Sequence, residues 1–110
     1  MTQKPEPKII ELDRAATGYM RVLGGPPESV TMRSGYVVLQ PANSVGRHST
    51  DAFEEMVIVL EGEGEMLFGD GSVLQLKPYV VAYCPPETEH DVRNTGSKPL
   101  RYVYVVAMAH

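Results

Sequence analysis

Two of the three histidines in this 110-residue chain are placed where they can do chemistry together. His48 opens the run His48-Ser49-Thr50-Asp51-Ala52-Phe53-Glu54-Glu55, which leads into Met56-Val57-Ile58-Val59-Leu60. His90 lies in Pro85-Pro86-Glu87-Thr88-Glu89-His90-Asp91-Val92-Arg93-Asn94. Each histidine sits at the edge of an apolar, strand-like run, beside turn residues. Neighbouring strands can therefore bring two imidazoles and a carboxylate to one cavity. Two neutral imidazoles and a carboxylate bind a divalent cation at about 2.0–2.2 Å and leave coordination positions open. The candidate metal ligands are His48, Glu55 and His90; their types do not separate iron, manganese, zinc and nickel. Residues two apart on a strand face the same way. Glu55, Val57 and Val59 therefore share one face, and Glu54, Met56 and Ile58 the other. Only one of Glu54 and Glu55 can look into a given cavity, and the apolar neighbours do not decide which.

The remaining polar residues have plainer readings. Glu61, Glu63 and Glu65 read as the surface of a hairpin and lack the spacing of a calcium loop. Cys84 ends an apolar run and reads as a small core residue, with no base tied to it by sequence. The tyrosines at 36, 79, 83, 102 and 104 read as strand-filling residues, one or two of which line a cavity. His110 is the last residue and a poor ligand candidate.

Strands are the elements that must position the site. Gly24-Gly25-Pro26-Pro27 is a strong breaker. Beyond it the sequence predicts strands over 35–40, 56–60, 65–68, 72–76, 80–84, 90–94 and 100–108. Met56–Leu60 reads as a strand covered on both faces. Gly69-Asp70-Gly71 carries the Asp-Gly signal for a tight hairpin. No segment shows helical periodicity over three turns. Strand signals recurring every 8–12 residues or so predict an all-β sandwich or barrel.

The composition excludes several classes. A net charge of −4 with scattered basic residues leaves no stripe to neutralise phosphates, so no nucleic-acid partner is expected. No apolar run approaches the roughly 20 residues of a membrane helix, and residues 1–8 do not read as a signal peptide. One cysteine allows no intrachain disulfide. A cytoplasmic location is the expectation.

At this point the chain resembles the cupin superfamily, over about residues 34–108. In the family's first motif, His48 takes the first histidine of His-x-His, and Glu55 and Gly62 follow at the family's spacing. In the second, Pro85, His90 and Asn94 fall in step. The interval from Glu55 to Gly62 favours Glu55 over Glu54 as the inward carboxylate. The chain also departs from the pattern. Thr50 stands in place of the second histidine, Tyr79 and Glu87 in place of motif-two glycines, and Gly46 is only two residues before His48. The resemblance implies a double-stranded β-helix, or jelly-roll, barrel at residues 34–110, with residues 1–33 as an N-terminal lead-in and edge strands. It implies a homodimer too, because jelly-roll edges need cover and the segment holding Ile9 and Ile10 can pair across a two-fold axis. For function it implies a divalent metal and a small polar ligand, as in a metal-dependent oxygenase or isomerase. The competing readings are a non-catalytic small-molecule sensor and a metal-free structural barrel. Thr50 is expected near the metal without being a strong ligand.

Overall fold

A computed structural model describes residues 4–109, and within them the chain is all β. Nine strands form two antiparallel sheets. The strands are β1 (Met20–Gly24), β2 (Arg33–Leu39), β3 (His48–Ser49), β4 (Phe53–Glu61), β5 (Gly64–Phe68), β6 (Val73–Leu76), β7 (Val81–Cys84), β8 (Glu89–Asn94) and β9 (Leu100–Met108). One sheet has the order β1-β2-β9-β4-β7 and the other β3-β8-β5-β6. Apart from the β1–β2 and β5–β6 pairs, strands consecutive in sequence, such as β7 and β8, lie in opposite sheets, which is the jelly-roll arrangement expected from the motifs. No helix among the described residues is long and apolar enough to cross a membrane.

Alternation builds the core. Val57 and Val59 of β4, Ala82 and Cys84 of β7, Val92 of β8, and Leu100 and Tyr102 of β9 all turn inward. They meet Met66 of β5 and Leu76 of β6 between the sheets. Their apolar area leaves water, which is the main favourable term for a fold of this size.

Two expectations need correction. Glu61, Glu63 and Glu65 do not form a hairpin: β4 ends in one sheet and β5 begins in the other, so Gly62–Gly64 is a crossover. Both glycines there are required by lack of space. A Cβ on Gly62, whose φ is +86°, would lie 2.4 Å from the Pro99 carbonyl oxygen, and one on Gly64 would lie 2.5 Å from that of Arg93. The Asp-Gly hairpin instead joins β5 to β6, where Asp70 accepts hydrogen bonds from both the backbone and the hydroxyl of Ser72. The second correction concerns Met56–Leu60. The strand is covered on its inner face only, and Met56 and Leu60 remain exposed on the outside. Tyr83 and Val81 of the edge strand β7 lie beside Met56 and Ile58 and are exposed as well, so this end of the sheet has an apolar outer face.

Among the described residues, the lead-in before β1 carries no strand. Ile10 and Leu12 are half-buried and border a hollow with Tyr36, Leu60 and Arg101 on the outer side of the larger sheet. Arg101 ties the segment down by donating to the Ala16 carbonyl and to Tyr36 Oη, each at 2.9 Å. Ile9 is exposed, and His110 lies outside the described residues.

Candidate metal centre

The site lies at one end of the barrel, where β3, β4 and β8 converge. β3 is only two residues long, too short to stand out in the sequence. It pairs with the start of β8 so that His48 and His90 are direct cross-strand neighbours, with ring centroids 4.3 Å apart. Glu55 enters from β4 in the opposite sheet, on the face it shares with Val57 and Val59. One ligand atom from each of His48, Glu55 and His90 falls within 4.8 Å of the others. Donors on one ion are about 3–4 Å apart, so small side-chain rotations close this set.

The hydrogen bonds around the imidazoles suit a cation. His90 Nδ1 donates to the Thr88 carbonyl at 3.1 Å, and His48 Nδ1 donates to the Gly46 carbonyl at 2.8 Å. A carbonyl on Nδ1 fixes the tautomer that leaves Nε2 with a free lone pair, the usual arrangement behind metal-bound histidine. His90 is fully buried, and among the described residues its Nε2 has no hydrogen-bond partner. The nearest acceptor is Glu55 Oε1 at 3.6 Å, beyond hydrogen-bonding range but close enough to act as a neighbouring charge. That carboxylate raises the His90 pKa above its ordinary value; burial opposes the rise, and the Thr88 carbonyl adds to it. A buried nitrogen without a partner is costly, and a cation held jointly with Glu55 and His48 removes that cost.

The other sequence candidates do different work. Glu54 points to the outer face, where its Oε1 accepts a hydrogen bond from Tyr83 Oη at 2.8 Å. Thr50 is buried at the cavity wall, and its hydroxyl is fully engaged. It donates to the Pro85 carbonyl at 2.7 Å and accepts from the Thr88 amide at 3.0 Å. The position that holds a second motif-one histidine in the family's pattern thus fastens the loop that carries His90. Cys84 is a buried core residue, yet its Sγ lies 3.6 Å from His90 Nδ1, a contact the sequence did not suggest. Burial, then the nearby Glu55 charge, push its thiol up to about 11, so it stays protonated at neutral pH. Asn94 is clamped at the far end of β8: its side chain donates to the Leu39 and Lys98 carbonyls and accepts from the Gly96 amide.

His48 and Glu55 open onto a cavity of about 570 Å³ between the sheets. Its walls are mostly apolar, with Val37, Phe53, Tyr102 and Val106 prominent. Tyr102 and Tyr104 supply the hydroxyls that sequence reading could not single out, and Tyr104 Oη shares a hydrogen bond of 2.9 Å with Tyr19 Oη. Burial, then Glu55's charge, raise the Tyr102 pKa, so its phenol stays neutral. Arg33 and Phe53 also line the cavity, and neither was legible as a site residue, because neither belongs to a motif.

The family model for the cupin domain matches residues 35–106. The chain belongs to the cupin family. Among solved structures, a cupin-fold likeness extends to a Bacillus halodurans protein, with a TM-score of 0.81 and 19% identity over 100% of this chain and 88% of that one. A predicted oxalate decarboxylase of Thermotoga maritima gives 0.66 and 18% identity, covering 90% of this cupin and 99% of that chain. The Schizosaccharomyces pombe Cnp3 cupin domain gives 0.73 and 16% identity over 82% of this chain, which spans only 63% of that one. No curated protein matches the chain. At these identities the likeness establishes the double-stranded β-helix fold alone.

Proposed function

We propose that this cupin holds one divalent cation through His48, Glu55 and His90 and binds a small organic ligand at the open positions beside it. The observation that carries the reading is the buried Nε2 of His90, without a partner among the described residues, set as a lone pair by the Thr88 carbonyl and facing Glu55. With three protein donors, an ion keeps positions for water or for a ligand oxygen. Such an ion supplies Lewis-acid or oxygen chemistry of the kind found in isomerases and oxygenases. The chain's own contribution is to orient two imidazoles through backbone carbonyls, to hold Glu55 across the barrel, and to shield the far side of the ligand with apolar walls. The reading covers a cytoplasmic homodimer, supported by the uncovered apolar face around Met56, Val81 and Tyr83, whose area would leave water in a symmetric pair.

Elemental analysis of untagged protein, before and after chelation, tests the cation. About one divalent ion per chain is expected. His90→Ala should strip most of it, and Glu54→Gln should leave it in place. A chain that takes up no divalent ion from any of iron, manganese, zinc or nickel salts sinks the reading. Light scattering at micromolar concentration tests the assembly: a monomer of 12.1 kDa contradicts the dimer.

A further inference from the structure

The larger sheet turns two charged side chains toward the cavity, and only one of them belongs to the cation site. Arg33 of β2 and Glu55 of β4 are both cross-strand partners of Val106 on β9, one from each side. They share a row and a face, with Cα atoms about 10 Å apart across two strand spacings. Glu55 reaches toward His90. Arg33 reaches over the Phe53 ring, its guanidinium carbon 5.8 Å from the ring centroid. Among the described residues Arg33, like Arg14 and Arg93, has no ion pair, whereas Arg21, Arg47 and Arg101 each pair with a glutamate, and of the three unpaired arginines Arg33 alone lines the cavity. An exposed arginine at a strand start is commonly just solvated. Here strand alternation aims the side chain along the cavity wall, with the guanidinium within cation–π range of the Phe53 ring.

The rest of the wall constrains what such a cation would meet. Val37, Phe53, Tyr102 and Val106 offer apolar surface, and the cavity volume suits a ligand of ring size or larger. A two-carbon diacid would leave most of that surface wet. We propose that the cavity binds a small carboxylic acid with an apolar body. Arg33 holds the carboxylate, Phe53 and Val106 pack on the body, and any further oxygen donor points toward His48, Glu55 and His90. The guanidinium fork fits a carboxylate through two parallel hydrogen bonds, so the cavity selects acids over their neutral amides. The last contact rests on the cation site proposed above; the Arg33 subsite does not.

Calorimetric titration with benzoate and phenylacetate, against benzamide and phenylacetamide, tests the assignment. Metal-loaded and chelated protein are titrated side by side, with metal content measured in each. The acids should bind about tenfold or more tightly than their amides, the effect expected of a charge-assisted pair. Arg33→Met keeps the apolar stem and should bring that ratio close to one, with metal content and melting temperature unchanged. Arg33→Lys should fall between, because it keeps the charge and loses the fork. A wild-type ratio near one, no binding of either acid, or a ratio that survives Arg33→Met overturns the subsite. In the last case the cation itself is the acid receptor. If wild-type protein holds no metal, the cation reading fails, and the ratio in chelated protein still decides the role of Arg33.

Discussion

The two ends of the barrel are built on different principles. At the closed end, where β4 crosses to β5, backbone lies against backbone: Gly62 meets Pro99, Gly64 meets Arg93, and Asn94 bonds to two carbonyls and an amide. At the open end, side chains are hydrogen-bonded to loop backbone around the cavity. Thr50 holds the Pro85–Thr88 loop, that loop's carbonyl holds His90, and His90 faces Glu55. The closed end has no slack, and the open end has room to exchange a ligand. Stability and chemistry are therefore expected to respond to different substitutions.

The largest effect should come from the closed end. Gly62→Ala forces a Cβ into the Pro99 carbonyl at a positive φ and should cost about 3–5 kcal/mol in urea unfolding. A near-wild-type midpoint would show that the crossover is looser than its geometry. Asn94→Ala strands the Leu39 and Lys98 carbonyls and the Gly96 amide, and about 2–3 kcal/mol should be lost, again with no change in which metal binds.

Thr50→Val keeps the shape and removes both hydroxyl bonds. It should cost about 1–2 kcal/mol and also weaken metal uptake, because the loop behind His90 loses its fastening. If uptake stays the same while stability falls, the two ends are more alike than the contacts say.

A smaller effect is carried by pH. In chelated protein the raised His90 pKa means that the folded state holds this proton better than the unfolded chain does. That contribution is fully present below the ordinary histidine value of 6.5 and is lost as pH rises through the raised folded value. With a cation the sign reverses, since the ion competes with the proton, and affinity should climb over the same interval. Melting curves across that range, with and without chelator, should diverge at the upper end. The smallest effect is expected at Glu87, whose φ of 52° is left-handed. Glu87→Gly should gain at most about 1 kcal/mol by relieving that conformation, offset by the freer unfolded chain.

Much of the fold was legible because its signals are local. Turn residues and alternating apolar positions mark β2 and β4 to β9 to within a few residues. The resemblance to the cupin motif, through the interval from Glu55 to Gly62, favoured one of two adjacent glutamates, which strand periodicity alone left open because its period of two only puts them on opposite faces. What stayed hidden depends on three-dimensional closure. The Glu61–Glu65 tract looks like a hairpin because nothing in its residues reports that its two strands belong to different sheets. β3 is defined by its partner β8 rather than by its own two residues. Arg33 becomes a cavity residue only when β2 and β4 flank β9 at the same rung. Tyr79 and Glu87, at positions where the family's pattern has glycine, keep positive φ values of 70° and 52° without it. Both side chains are exposed, whereas a Cβ on Gly62 would run into backbone. A missing glycine therefore did not mean a missing turn.

The double duty of Thr50 restricts how this site can be rebuilt. Thr50→His would offer a fourth donor to a cation, yet the same step would remove the hydroxyl that pins Pro85 and Thr88. The loop so released is the one that aims His90. A single exchange would add one ligand while unsettling another. An engineered route to a four-donor centre must therefore begin in the Pro85–Thr88 loop, by giving it a new anchor, and only then alter position 50.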